Sequence, residues 1–172
     1  MDKAIDLALV GASGVVGNKI ISLLEKKNIN IENFYPLGSA SVGQEVTLNN
    51  TNYQIEDLSS FDCSKVNLAI FSAGSKVAKE YAKSFVNQGV YVIDLSSEFR
   101  YEENIPLIIP EINGSLLEDI KKPSLIANPN CSVSQLLMVL DPIHKEYSID
   151  FLNIATYQAV SGTGKDAIDE LY

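Results

Sequence analysis

The 172-residue chain predicts an α/β fold, a mostly parallel sheet with helices on both faces, followed by the start of a second, α+β domain. Three observations carry that expectation. Short apolar runs alternate with stretches of helical periodicity. A G-x-x-G-x-x-G turn joins the first such pair. The last strand-like run, Phe151 to Val160, finds no partner earlier in the chain. The expected division is a first domain over 1–130 and the opening of a second over 131–172.

Taken in order, Ala4 to Val10 (AIDLALV) is short and mostly apolar and ends at a glycine, as a buried strand does. Val16, Ile20, Leu23 and Leu24 then recur at helical spacing, and Asn28 closes that helix. Phe34 to Leu37 reads as the second strand. Glu45 to Leu48 and Tyr53 to Glu56 flank NNTN as a hairpin. Val66 to Ala73 is a buried strand leading into a helix with Val77, Ala78, Tyr81, Ala82 and Phe85 on one face, ended near Gly89. Val90 to Ser96, Ser124 to Ala127 and a short piece at Leu107 to Ile109 read as further strands. After Cys131, a helical face carries Val133, Leu136, Leu137 and Leu140, with Pro142 expected to kink or end it. Phe151 to Val160 is expected as a long final strand, and GTGKDAIDELY as the beginning of a helix.

Composition narrows the function classes. Hydrophobic residues make up 46% and charged residues 20%, the balance of a globular domain. A formal net charge of −9 argues against nonspecific nucleic-acid binding, which needs surplus Lys and Arg, and no nucleic-acid partner is expected. No apolar run is long enough to span a bilayer, and Met1-Asp2-Lys3 does not open a signal peptide. Cys63 and Cys131 form neither a disulfide framework nor a metal spacing, which fits free thiols in a reducing cytoplasm.

The glycine turn, Gly11-Ala12-Ser13-Gly14-Val15-Val16-Gly17, lies between the first strand and the first helix. Glycines there allow a tight turn and close backbone approach, and the free N–H groups of the helix start can hold a pyrophosphate. The expectation is therefore a Rossmann-like dinucleotide-binding domain. An NAD site usually offers a carboxylate at the end of the second strand, but LGSASVGQ has no acid before Glu45. Small hydroxylated residues, Ser39 and Ser41, suit a 2′-phosphate, so NADP is expected, although no Arg or Lys lies nearby in sequence to hold it.

Asn128-Pro129-Asn130-Cys131-Ser132 sets a thiol at a helix entrance, with Asn130 as N-cap. Such a position stabilises a thiolate, and it equally suits an inert buried thiol; spacing does not separate the two. Cys63 has no comparable setting. His144, the single histidine, lies about 20 Å from Cys131 along a helix, too far for direct proton transfer. Arg100 follows IDLSSEF at a strand end, where a guanidinium could grip a phosphate or carboxylate or simply be solvated. Gln158 is either a structural amide within an apolar strand or a substrate-orienting one. Ser161-Gly162-Thr163-Gly164 is either a plain turn or a backbone surface facing the cofactor.

In their order and approximate spacing, GASGVVG, FSAGS, PLIIPEIN, NPNCS and TYQAVSGTG resemble the aspartate-semialdehyde dehydrogenase family over nearly the whole chain. The resemblance implies NADP-dependent, reversible conversion of 4-aspartyl phosphate and aspartate 4-semialdehyde, on the route to lysine, methionine, threonine and isoleucine. It implies that Cys131 forms an acyl-thioester beside Asn130, that Arg100 binds phosphate and that Gln158 contacts substrate. Cofactor positions carry over to Ser13, Gly14, Val15, Val16, Ser161 and Gly162. The family commonly has an arginine in the loop matching Ser39 to Gly43, which is one residue shorter here and lacks it. Family members are about twice this length and act as homodimers or homotetramers through the second domain; their catalytic histidine and further basic substrate ligands lie beyond position 172. The resemblance thus implies an N-terminal part, poor in turnover, with 131–172 beginning a catalytic and dimerisation domain. N-acetyl-glutamyl-phosphate reductase, whose cysteine context resembles PGCY, ranks below, as does a non-catalytic dinucleotide-binding module.

Overall fold

In strand β1 (Ile5–Val10) the side chains alternate between the two faces of a sheet, and both faces are covered. Leu7 and Leu9 pack into one core with Ile21, Phe34, Val46 and Ile55, beneath helix α1 (Val15–Lys26). Ala8 and Val10 pack into the other with Leu37, Phe71, Ala78, Ala82 and Phe85, beneath helix α2 (Ser75–Asn87). A strand buried on both sides is apolar throughout rather than alternating, which is why AIDLALV reads as a continuous run. The computed structural model describes residues 4–163 and 165–171. Met1-Asp2-Lys3, Gly164 of the SGTG turn and the final Tyr172 lie outside the described residues.

The remaining strands are β2 (Ile31–Gly38), β3 (Glu45–Leu48), β4 (Thr51–Gln54), β5 (Glu56–Asp57), β6 (Leu68–Phe71), β7 (Tyr91–Asp94) and β8 (Leu125–Ala127). Five of them join β1 in one six-stranded sheet in the order β5-β2-β1-β6-β7-β8, every neighbouring pair parallel. The chain runs outward from β1 in both directions, so the reversal of strand order falls at the end of β1, beside the glycine turn. Open parallel sheets bind ligands at such a point. Helices α3 (Pro110–Asn113), α4 (Cys131–Tyr147) and α5 (Lys165–Leu171) complete the α-helices among the described residues, beside four short 3-10 turns.

Several expectations need correction. The hairpin turn is Asn49-Asn50 rather than NNTN, with both residues at positive φ (49° and 62°); β4 begins at Thr51, so Tyr53 pairs with Val46. That is the two-residue geometry whose twist matches the flanking strands. Leu107 to Ile109 makes a single bridge, Leu107 to Ala127, and no strand. Pro142 does not end α4, which continues to Tyr147; it forgoes one backbone hydrogen bond while Lys145 and Asp141 pair across it at 2.7 Å. Phe151 to Val160 is no strand: residues 151–159 have no regular structure and are exposed. A strand needs a ladder partner, and among the described residues nothing pairs with this run.

Candidate dinucleotide and thiol site

The glycine turn is built by close contact. Gly11 has φ +87°, and a Cβ there would lie 3.0 Å from the Ala73 backbone N. A Cβ on Gly17 would lie 2.2 Å from the Gly11 carbonyl oxygen, so glycine is what lets α1 start against β1. The Gly11 N–H donates to Leu37 O at 2.8 Å, and the Asn18 side chain donates to Ser13 O and Gly14 O at 3.1 and 3.0 Å. Ser13, Gly14, Val15 and Val16 are exposed. The first N–H groups of α1 have no acceptor within the helix, and these are the donors a pyrophosphate needs.

A crevice of about 460 Å³ opens beside this turn. Gly14, Val15 and Val16 form one wall, the Ser72–Ser75 loop after β6 another, and Leu95 and Ser96 after β7 a third. Ser161 and Gly162 also line it, so the carried-over cofactor positions of the distant SGTG turn meet those of the glycine turn. With glycines where a side chain would clash, helix N–H donors and an adjoining crevice, the residues present fit a dinucleotide.

A second crevice, about 270 Å³, lies at the end of β2 and is lined by Ser39, Asp57, Ser59, Lys76 and Glu80, among others. Two of these were hidden from sequence reading. Asp57 sits beside the end of β2 because β5 pairs there, Gly38 against Asp57. Lys76 comes from the first turn of α2, far along the chain, and among the described residues it forms no ion pair. The Ser59 hydroxyl (2.6 Å) and N–H (3.0 Å) donate to the Asp57 carboxylate and hold its pKa below the usual range. Ser41 does not line this crevice; it is half-buried against Gly38, where a Cβ would meet its Oγ at 2.6 Å.

Cys131 is the first residue of α4 and is exposed. Asn130 caps the helix with extended backbone (φ −60°, ψ 145°); its Oδ1 accepts from Ser132 N at 3.0 Å, from Ser132 Oγ at 2.5 Å and from Cys131 Sγ at 3.8 Å. The thiol stands on the same edge of the sheet as the glycine turn, at the end of β8, but it does not line the 460 Å³ crevice. Cys63 is half-buried behind Phe61, and burial pushes its thiol pKa up.

Arg100 is no freely solvated arginine. It is half-buried, donating from Nε to Asn128 O at 2.9 Å and from Nη2 to Leu95 O at 3.1 Å. Gln158 differs from its expectation as a buried amide: it is exposed on the extended run, donating only to Thr156 Oγ1 at 3.4 Å. His144 is exposed near the far end of α4, its Nδ1 accepting from Ile149 N–H at 3.0 Å. Among the described residues no cluster of His, Cys, Asp or Glu could hold a metal ion, and no helix is long and apolar enough to cross a membrane.

A parallel sheet reversing at a glycine turn, with a crevice over that reversal, defines a Rossmann-like dinucleotide-binding domain. The chain belongs to the semialdehyde dehydrogenase family, whose NAD-binding domain ("Semialdehyde dehydrogenase, NAD binding domain") matches residues 6–120. It is 48% identical to an aspartate-semialdehyde dehydrogenase of Legionella pneumophila over 99% of this chain and 50% of that protein. The crystal structure of aspartate-semialdehyde dehydrogenase II from Vibrio cholerae, complexed with ASA, superposes with TM-score 0.94 at 36% identity, covering 99% of this chain and 51% of that one. The Candida albicans aspartate-semialdehyde dehydrogenase structure with NADP superposes with TM-score 0.68 over 86% of this chain and 48% of that one; at 22% identity that likeness is one of fold. The chain spans about half the length of the curated relatives it matches.

Proposed function

We propose that this chain carries the cofactor domain and the nucleophile of an NADP-dependent aspartate-semialdehyde dehydrogenase. The protein would work in the cytoplasm, in lysine, methionine, threonine and isoleucine biosynthesis, as a homodimer or homotetramer. Residues 1–130 form the dinucleotide-binding domain, and 131–172 open the catalytic domain. The observation that carries this reading is the exposed Cys131 thiol at the capped head of α4, on the sheet edge that bears the glycine turn.

In the biosynthetic direction the Cys131 thiolate attacks the acyl carbon of 4-aspartyl phosphate. The C–O bond to phosphate breaks, and a thioester forms as phosphate leaves. Arg100 has guanidinium N–H groups left over after its two carbonyl bonds, and these hold the departing dianion. Asn130 steadies the first turn of α4 and so the sulfur, while Gln158 contacts the substrate. When bound, the reduced dinucleotide supplies the hydride that takes the thioester to the aldehyde level. Covalent attachment keeps the acyl carbon in place for that transfer. The N–H groups of α1 cradle the pyrophosphate, with Ser13 to Val16, Ser161 and Gly162 around it.

The 2′-phosphate is assigned to the crevice at the end of β2, where Ser39 offers a hydroxyl and Lys76 the missing cation. Asp57 and Glu80 oppose it, but the Asp57 carboxylate is engaged by Ser59.

The test is titration of the 172-residue chain with NADPH and NADH, followed by fluorescence. NADPH is expected to bind more tightly. Lys76→Met should weaken NADPH by about two- to fivefold, the scale of an exposed charge pair, and leave NADH unchanged. Phosphate-dependent turnover of aspartate 4-semialdehyde by this chain is expected to fall about 10²–10⁴-fold below a full-length relative, because its single histidine, His144, stands at the far end of α4 from Cys131. Tighter binding of NADH, or turnover matching the relative, would count against this reading.

A further inference from the structure

Asp94 is the one buried charged or polar residue among the described residues, and the chemistry above does not use it. It ends β7, fully enclosed, on the face that packs beneath α2. Its Oδ1 accepts from Ser96 N–H at 3.1 Å and its Oδ2 from Ser96 Oγ at 2.7 Å, closing the chain into a turn. The Ser96 hydroxyl accepts in turn from Glu98 N–H at 3.1 Å, so the clasp reaches along the loop toward Arg100. Between clasped residues sits Leu95, whose carbonyl receives Nη2 of Arg100. The other carbonyl holding Arg100, that of Asn128, belongs to a residue whose own N–H donates to Asp94 O at 2.8 Å. Asn128 begins the Asn128-Pro129-Asn130-Cys131 loop. Asp94 forms no ion pair with Arg100 within 4.0 Å among the described residues; the bonded path between them runs through the turn, beside a longer-range attraction of the two charges.

A buried carboxylate costs free energy unless it is hydrogen-bonded or paired, and Ser96 supplies the hydrogen bonds. Here they fix the orientation of a guanidinium and the approach of the loop carrying the thiol. We propose that Asp94 is a positioning residue: by clasping Ser96 it sets the Leu95 and Asn128 carbonyls that aim Arg100 at an anion beside Cys131. The proposal rests on the assignment of Cys131 as nucleophile and Arg100 as anion ligand.

The experiment compares two electrophiles at Cys131 in the 172-residue chain. Acetyl phosphate acylates by attack of the thiolate on the carbonyl carbon; the S–C bond forms, the C–O bond breaks, and inorganic phosphate leaves with the electron pair. Iodoacetamide reacts at the same sulfur and carries no anion. Rates are followed by intact mass, with Cys63→Ser as background. Asp94→Asn should slow acetylation about 10- to 100-fold, the scale of a misplaced catalytic group. It should leave alkylation within about twofold, since Asn keeps one of the two acceptors for Ser96 and Cys131 stays exposed at the head of α4. Ser96→Ala, which deletes only the hydroxyl link, should give a smaller loss of the same kind. Unchanged acetylation in Asp94→Asn and Ser96→Ala would overturn the positioning role alone. Equal slowing of both electrophiles would mark Asp94 as structural and overturn it as well. No acetylation of the unsubstituted chain would overturn the roles of Cys131 and Arg100, and this inference with them.

Discussion

At the scale of the residue, the two cysteines show how little a residue type says without its surroundings. Cys131 is exposed at a capped helix start; Cys63 is half-buried against Phe61, its sulfur 3.8 Å from the Phe61 carbonyl oxygen. Burial raises the Cys63 thiol and disfavours its thiolate, the reactive form. At neutral pH iodoacetamide should therefore label Cys131 several-fold faster, and Cys131→Ser should remove most of the early labelling. Peptide mapping of a time course checks this, and equal rates at both positions would contradict it. The placement of Cys131 and its Asn130 cap was legible in NPNCS, because a cap and the helix it starts are local. Lys76 and Asp57 were not legible as neighbours of Ser39. They reach it through the pairing of β5 with β2 and the packing of α2, which bring together residues far apart in sequence. Asp94 escaped notice for a similar reason, since VYVIDLS is read as a strand and its burial depends on a helix laid across it.

Elements were legible where their signal is periodicity and illegible where it is a partner. Strands β1, β6 and β7 lie inside the sheet, and their apolar runs announce them; α1 and α2 carry their apolar stripes at helical spacing. Phe151 to Val160 has the same apolar content, yet apolar content alone builds no ladder. The turn between β1 and α1 is the element on which the site depends most. Its glycines have unequal duties: a Cβ on Gly17 would strike the Gly11 and Ala12 carbonyl oxygens at 2.2 and 2.8 Å, while one on Gly14 meets only Gly11 O, at 3.3 Å. Both obstacles at Gly17 are backbone, so relief requires α1 to shift off β1. Gly17→Ala is expected to cost about 3 kcal/mol of unfolding free energy, the upper end for overpacking, and to abolish dinucleotide binding. Gly14→Ala should cost about 1 kcal/mol or less. Urea denaturation followed by circular dichroism measures both. Similar losses in the two variants would show that the turn relaxes easily, and that close packing at Gly17 is not what sets the position of the cradle.

The whole molecule is divided between a sheet with closed cores and a segment without one. Helix α4 contributes no buried residue, although Val133, Leu137, Met138, Val139 and Ile143 are apolar. Phe151 is 83% exposed and Tyr157 fully so, and between α3, α4 and Ile149 to Leu152 lies an apolar groove of about 310 Å³. Exposed apolar surface of this kind drives association, at roughly 25 cal/mol per Å² removed from water. A net charge of −9 opposes association over long range, but screening confines that repulsion to about 8 Å at physiological salt, so contact-range apolar attraction dominates there. The 172-residue chain is therefore expected to self-associate at micromolar concentration, more strongly as salt is raised. The double change Phe151→Ser and Leu152→Ser should move it toward monomer. Neither residue lines the crevices assigned to the dinucleotide, so NADPH affinity should stay within about twofold while the sedimentation coefficient falls. Sedimentation velocity at low and high salt makes the distinction. A chain that stays monomeric throughout would show that α4 and the extended run cover one another in solution. Association that survives the double change would move the sticky surface to the exposed face of α4, where Val139→Glu is the next substitution to measure.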